Sequence, residues 1–139
     1  MGSALEQLAA VPLLSGCSRA DLRQIERASD QVDVEAGRVL CTEGELGREA
    51  FVLLSGAAEV RRRGEVVAQL GPGDWVGELA LLDGGPRTAT VTTTEPSNLL
   101  VLTRGAFNGV LDEVPTLAHK LLVTLARRLR AAEDASWQH

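Results

Sequence analysis

The sequence contains few of the residues that mark metal-dependent, disulfide-rich or membrane proteins. Its two cysteines, Cys17 and Cys41, are too few for a disulfide framework and lack metal-site spacing, so we expect reduced thiols. The histidines His119 and His139 cannot supply the ligand cluster that a metal-dependent jelly-roll enzyme needs. No apolar run approaches the about 18–20 residues of a membrane helix, and no signal-peptide pattern opens the chain. These absences favour a cytoplasmic protein without a metal centre.

Positive charge is scarce and takes an unusual form. The chain has 14 basic and 19 acidic residues, and this net charge of -5 argues against a nucleic-acid surface covering the whole domain. Lys120 is its single lysine, and so strong an arginine bias is typical of GC-rich coding sequences. The run of Arg61, Arg62 and Arg63 before Gly64 predicts an exposed hairpin tip. The helix dipole accounts for the arginines at 127, 128 and 130.

The order of local patterns is helix, many short strands, then helix. A chain of 139 residues with 45% hydrophobic content is one domain with a real core. Helices are predicted at residues 4–10 and 18–28, the second with a capping box of Ser18 and Asp21 and with Leu22 and Ile25 facing inward. Strands are predicted around Val32 and at 38–41, 50–55, 57–61, 65–70, 88–94 and 98–103. Their spacing predicts an antiparallel sandwich or barrel.

The C-terminal third predicts a short helix at 104–111 and a longer one at 116–134. Pro115 suits the first turn of the longer helix, because its missing N–H costs nothing there. Apolar residues recur along this helix at spacings of four and three, at positions 118, 122, 125, 129 and 132. The stripe spans fewer than three heptads. Two alternatives stay open: a homodimer through this helix, or packing of the helix on its own β-domain.

Residues 77–91, GELALLDGGPRTATV, interrupt the strand pattern. Residues 78–82 are too short and apolar for an ordinary surface helix and end at Asp83-Gly84-Gly85-Pro86, which predicts one helical turn between two strands. The guanidinium of Arg87 suits a phosphodiester, and so do the unpaired amides at a helix start. The carboxylate of Glu78 can accept a hydrogen bond from a sugar hydroxyl. The segment therefore predicts a ligand with one phosphate and one sugar hydroxyl.

This segment resembles the phosphate-binding cassette of cyclic nucleotide-binding domains, and residues 43–45, 54–56 and 70–74 resemble turns of that family. The resemblance covers about residues 12–134. It implies a mainly β (α+β) fold with flanking helices: an antiparallel β-roll or jelly-roll barrel, an inserted phosphate-binding helix and a C-terminal lid helix. It also implies a single domain over 1–139, with N-terminal helices at 4–29, a β-roll at 31–103 including the cassette at 77–91, and C-terminal helices at 104–134.

The family pattern assigns roles to individual cassette residues. Glu78 would accept the ribose 2′-hydroxyl, and Arg87 would pair with the cyclic phosphate. Gly77 would let the backbone turn closely against the ligand. Backbone amides would complete the phosphate cradle at Leu79, Ala80, Thr88 and Ala89. Two structural alternatives remain: Glu78 complements the helix N-terminus, and Arg87 pairs with a nearby acid.

The base and the residue that covers it are less specified. In the family, threonine at the place of Thr88 is associated with cyclic GMP, although some cyclic AMP receptors also carry it. Cyclic AMP is our first expectation and cyclic GMP the second. Leu129, Arg130 and Trp137 are the candidates for covering the purine from the C-terminal helix, whereas Trp75 is interpreted as core.

The function implied is a non-enzymatic sensor of a cyclic mononucleotide that signals through residues 116–134 to an unidentified protein. No nucleophile is paired with a base, no cofactor is implied, and no membrane contact is expected. The 48 residues after Val91 leave no room for a DNA-binding domain, so we expect no direct DNA binding. The chain would then be a free-standing sensor or part of a catabolite-activator-type transcription regulator. A non-binding interaction scaffold is the other alternative.

Overall fold

The computed structural model describes residues 4–77, 81 and 84–137, with the backbone alone for Ala4 and residues 134–137. Most of the helical turn predicted at 78–82 lies outside the described residues, and so do Glu78, Leu79 and Ala80. Leu81, which is described, is buried.

The N-terminal segment forms helix α1 (Ala4–Ala9), a 3-10 turn (Pro12–Leu14) and helix α2 (Arg19–Ala28). The predicted capping box is present: Ser18 Oγ accepts from the Asp21 amide at 3.0 Å, and Asp21 Oδ2 accepts from the Ser18 amide at 3.1 Å. Leu22 and Ile25 are buried, as predicted. Two otherwise unpaired helix-start amides are thereby satisfied, and this fixes where α2 begins.

The described β-domain is a sandwich of two four-stranded antiparallel sheets, ordered β1-β8-β3-β6 and β2-β7-β4-β5. The strands are β1 (Asp30–Val34), β2 (Val39–Cys41), β3 (Glu49–Ser55), β4 (Ala58–Arg62), β5 (Glu65–Leu70), β6 (Trp75–Val76), β7 (Thr90–Thr93) and β8 (Ser97–Thr103). The predicted antiparallel fold is confirmed, as two sheets rather than a closed barrel. The sequence did not predict β6, because two residues are too few to show alternation.

Two apolar clusters lie on opposite faces of the first sheet. Alternate residues of β3 divide between them, which explains why this strand is apolar on both faces. Val52 and Leu54 pack with the helices, whereas Phe51 and Leu53 pack between the two sheets. The inter-sheet cluster ends beside the site described below.

The C-terminal segment forms helices α3 (Arg104–Glu113) and α4 (Pro115–Trp137). Leu117 and Leu121 are the buried leucines of α4. The predicted apolar stripe lies on another face, where Leu122 and Leu129 are 66% and 62% exposed. The alternative in which this stripe packs on the chain's own β-domain is therefore wrong for Leu122 and Leu129. Within the described residues, no helix is long and apolar enough to cross a membrane.

The two cysteines lie in different clusters, and no disulfide joins them. Burial raises the pKa of the Cys17 thiol, the Asp21 carboxylate raises it further, and Lys120 lowers it. The net rise keeps this thiol protonated at neutral pH, so it is a poor nucleophile.

Candidate functional site

Arg87 is a buried cation whose hydrogen-bond acceptors are main-chain carbonyls. Its side chain is only 8% exposed. Nη1 donates to the carbonyl of Gly77 at 3.0 Å, and Nη2 donates to the carbonyl of Glu49 at 2.6 Å. Among the described residues no carboxylate forms an ion pair with Arg87, in contrast to Arg61, which pairs with Glu59. A buried charge without a counter-charge is costly, and an anion beside it would offset that cost.

Gly77 makes room for this guanidinium. Its φ is +82°, a conformation that side chains rarely adopt. A Cβ atom there would lie 2.1 Å from Arg87 Nη1 and 3.1 Å from Cζ. The close approach to a ligand predicted for Gly77 stays a prediction, and the structure shows in addition that the missing side chain makes room for Arg87.

Main-chain contacts hold the segment around Arg87 in place. The Arg87 amide donates to the Glu45 carbonyl at 2.7 Å, and its own carbonyl accepts from the Gly44 amide at 2.9 Å. The next two amides, of Thr88 and Ala89, have no hydrogen-bond acceptor among the described residues outside the strand ladders. Two donors without a described acceptor thus lie beside a buried cation, an arrangement that suits an anion.

These groups line a cavity of about 240 Å³ between the end of the sandwich and α4. Gly77, Arg87, Thr88 and Ala89 all line it, so the structure brings together every described residue that the sequence assigned to the site. Its other lining residues are mostly apolar, with two further cations: Cys41, Val60, Arg62, Leu70, Trp75, Val76, Pro86, Val91 and Arg128. The described lining contains no carboxylate. It therefore suits a partly apolar ligand with negative charge.

The α4 residue in this lining is Arg128, not one of the candidates from sequence. Leu129 and Arg130 are exposed and do not line the cavity, and the Trp137 side chain lies outside the described residues. Arg128 lies seven residues after the buried Leu121, two helical turns along the same face. That periodicity could have identified Arg128, whose charge was assigned to the helix dipole alone.

Arg62 is the second lining residue that sequence reasoning missed. It follows Ala58 and Val60 on one face of β4, since side chains alternate along a strand. The interpretation as a hairpin tip treated all three arginines alike. The alternation of side chains along β4 would have placed Arg62 on a different face of the strand from Arg61 and Arg63.

Comparisons with known proteins show which family and which folds this chain is similar to. The profile of the family described as cyclic nucleotide-binding domain matches residues 31–114. A CRP-like cAMP-activated global transcriptional regulator of Mycobacterium tuberculosis is 30% identical over 134 residues, covering 93% of this chain and 60% of the relative. A cAMP-dependent protein kinase regulatory subunit of Yarrowia lipolytica is 39% identical over 111 residues, covering 78% of this chain and 29% of the relative. The chain therefore spans three fifths or less of the length of these two curated relatives.

Solved structures give the same result. The catabolite activator protein of Thermus thermophilus superposes with a TM-score of 0.81 at 31% identity, covering 88% of this chain and 60% of that one. The N-terminal domain of a transcriptional regulator from Streptomyces coelicolor superposes with a TM-score of 0.75 at 33% identity, covering 93% of each chain. The fold of this chain is thus the fold of that N-terminal domain and of the matched part of the catabolite activator protein.

Proposed function

The chain belongs to the cyclic nucleotide-binding domain family, and from that premise we propose that it is a non-enzymatic sensor of a cyclic mononucleotide. Cyclic AMP is the first candidate and cyclic GMP the second, since several relatives are named for cAMP. The observation that carries the proposal is the buried guanidinium of Arg87 without a described counter-charge. It faces a cavity beside two amides that have no described acceptor outside the strand ladders.

In the proposed complex the cyclic phosphate lies on Arg87 and the amides of Thr88 and Ala89. A guanidinium already fixed by two carbonyls needs no reorganisation to receive the phosphate, and charge-assisted hydrogen bonds are about twice as strong as neutral ones. Glu78 accepts the ribose 2′-hydroxyl, and the amides of Leu79 and Ala80 extend the cradle. The sugar and the base occupy the apolar part of the cavity.

The signal leaves through α4. Arg128 gives this helix a side chain in the ligand cavity, while Leu117 and Leu121 attach it to the core. A ligand shifts the helix only if it binds one helix position more tightly than another. Contact with Arg128 supplies such a difference.

The output surface is the exposed stripe of α4. Leu122 and Leu129 face solvent, and a second copy of the chain is the occupant that we propose for them. The downstream protein remains unidentified. Relatives that are transcription regulators or kinase regulatory subunits make the sensor part of a larger cytoplasmic regulator a natural setting.

Calorimetric titration of the nucleotide-free chain with cyclic AMP and cyclic GMP tests the proposal. We expect binding of at least one nucleotide, and we expect Arg87→Gln to weaken it at least about tenfold, the lower limit for losing a hydrogen bond to a charged group. Arg87→Lys should be intermediate, because lysine keeps the charge and loses the planar fork.

Thermal unfolding of each variant controls for loss of structure. The carbonyls of Gly77 and Glu49 lose their donors in Arg87→Gln, so a modest decrease in stability is expected with the fold retained. Unchanged affinity in a folded Arg87→Gln protein would remove Arg87 from the site. No binding of either nucleotide by the unaltered chain would favour the interaction scaffold.

A further inference from the structure

The three consecutive arginines of the β4–β5 hairpin have different environments. Arg61 stays within the hairpin: its Nε donates to Glu59 Oε1 at 2.8 Å, and its Nη1 donates to the Gly64 carbonyl at 3.2 Å. Arg63 occupies the turn at φ +54°, with its amide on Glu43 Oε1 at 3.0 Å. Arg62 is the member of the run that lines the ligand cavity.

A single hydrogen bond holds Arg62 beside the cassette. Its Nε donates to the carbonyl of Thr88 at 3.2 Å, across 26 residues of sequence. Thr88 directly follows Arg87, and the amide of Thr88 is one of the two without a described acceptor outside the strand ladders. Because Nε makes the anchoring bond, both Nη groups of Arg62 remain to donate elsewhere. No described carboxylate pairs with Arg62, in contrast to Arg61.

A cyclic phosphate has more acceptor sites than Arg87 alone can serve. Two of the five N–H donors of Arg87 are already used on the carbonyls of Gly77 and Glu49. A second guanidinium beside the Thr88 amide would supply the missing donors. It would also concentrate positive charge where the cavity opens, since Arg62 is exposed and Arg87 is buried.

We propose that Arg62 is a second phosphate-binding residue of this site. This inference rests on the proposed function. In the bound state Arg62 donates from its Nη groups to a phosphate oxygen and keeps Nε on the Thr88 carbonyl, so it joins β4 to Thr88 beside the anion. Its contribution is to affinity for the anion and not to choice of base, because cyclic AMP and cyclic GMP carry the same cyclic phosphate.

Arg62→Gln and Arg61→Gln form a matched pair for the test. Both remove one exposed arginine from the same strand, and only the first removes a cavity-lining group. We expect Arg62→Gln to weaken cyclic AMP and cyclic GMP equally, by about three- to tenfold, less than for a buried charged hydrogen bond because Arg62 is exposed. Arg61→Gln should stay within about twofold. Affinity should also fall less with added salt in Arg62→Gln than in the unaltered chain.

The outcomes separate this inference from the proposed function. If Arg87→Gln weakens binding and Arg62→Gln does not, the role of Arg62 is overturned while the proposed function stands. A loss confined to cyclic GMP would also overturn it, because Arg62 would then contact the acceptor edge of guanine. Equal losses of affinity in Arg61→Gln and Arg62→Gln would also overturn it, because a general effect of net charge would then explain both. If the unaltered chain binds neither nucleotide, the proposed function itself fails.

Discussion

At the scale of single residues, Gly77 and Arg87 act as one unit. Arg87 donates to the Gly77 carbonyl, and any side chain at 77 would occupy the space of the guanidinium. The sequence predicted both residues, because a glycine and an arginine at this separation fit a phosphate-binding segment. It could not predict that they touch, since that depends on the path of residues between them. The partner carbonyl of Glu49, 38 residues away, is likewise set by tertiary structure.

We predict that Gly77→Ala costs stability and nucleotide affinity beyond the cost of its backbone conformation. Gly37 is the matched control, because its φ is +86° and nothing lies within 4 Å of a Cβ there. A left-handed conformation costs alanine roughly 1–2 kcal/mol, so Gly37→Ala should lose about this much stability and no affinity. Gly77→Ala should lose more stability, and it should weaken binding because it displaces the guanidinium.

A double-mutant cycle measures this contact directly. In the Arg87→Gln background, the extra stability cost of Gly77→Ala over Gly37→Ala should shrink, because glutamine leaves the space that the guanidinium filled. Chemical denaturation supplies the free energies of unfolding. Equal costs at positions 77 and 37, with unchanged affinity, would show that Gly77 is required for its φ alone.

At the scale of elements, local sequence signals predicted most helices and strands, but they did not identify the cavity-lining residues on β4 and α4. The capping box fixed the start of α2, and alternation located the longer strands. Strand β6 was not predicted, because it is defined by its pairing with Phe51 and Val52 of β3, which are distant in sequence. Arg62 and Arg128 were not predicted as site residues, because a hairpin tip and a helix dipole already explained their charges. Only their positions in the periodicity of β4 and α4 indicate that they line the cavity.

The β4–β5 turn gives an element-scale prediction that is independent of the ligand. Arg62 pairs with Glu65, so Arg63 and Gly64 form a two-residue loop, and both have positive φ (+54° and +82°). Such loops favour Asn-Gly. Arg63→Asn should therefore raise the free energy of unfolding by about 0.5–1 kcal/mol, since asparagine tolerates this conformation better than arginine.

Thermal and chemical unfolding can check this result, with Arg63→Val as the control. Valine is β-branched and poorly suited to positive φ, so this variant should be less stable than the unaltered chain. Nucleotide affinity should not change in Arg63→Asn, because Arg63 does not line the cavity. A destabilised Arg63→Asn protein would mean that the Arg63 side chain contributes more than its backbone strain costs.

At the scale of the whole molecule, α4 contacts the core, lines the cavity and exposes an apolar stripe. Two of its faces meet different surroundings: one carries Leu117 and Leu121 on the core and, further along, Arg128 at the cavity, and the other turns Leu122 and Leu129 to the solvent. The sequence predicted the helix and its apolar stripe, because both follow from periodicity. It could not show which face the core would use, since Leu117 and Leu121 also recur at a helical spacing.

We predict that the unaltered chain dimerises reversibly through this stripe. Two leucines more than half exposed on each copy would be buried, and removing apolar area from water contributes roughly 25 cal/mol per Å². Leu122→Gln combined with Leu129→Gln should weaken the dimer at least about tenfold. His119→Gln, an exposed change outside the stripe, should not. Light scattering over a concentration series measures the dimer dissociation constant.

The same measurement with nucleotide tests whether α4 transmits the signal. If ligand contact at Arg128 shifts the helix, saturating nucleotide must change the dimer dissociation constant, and dimerisation must change nucleotide affinity by the same factor. Arg128→Gln should reduce this factor without abolishing the dimer, since Arg128 is not part of the stripe. A dimer dissociation constant that does not change with nucleotide would show that the binding site and the stripe are not coupled. A chain that remains monomeric at every concentration would contradict the homodimer and make a different protein the partner of the stripe.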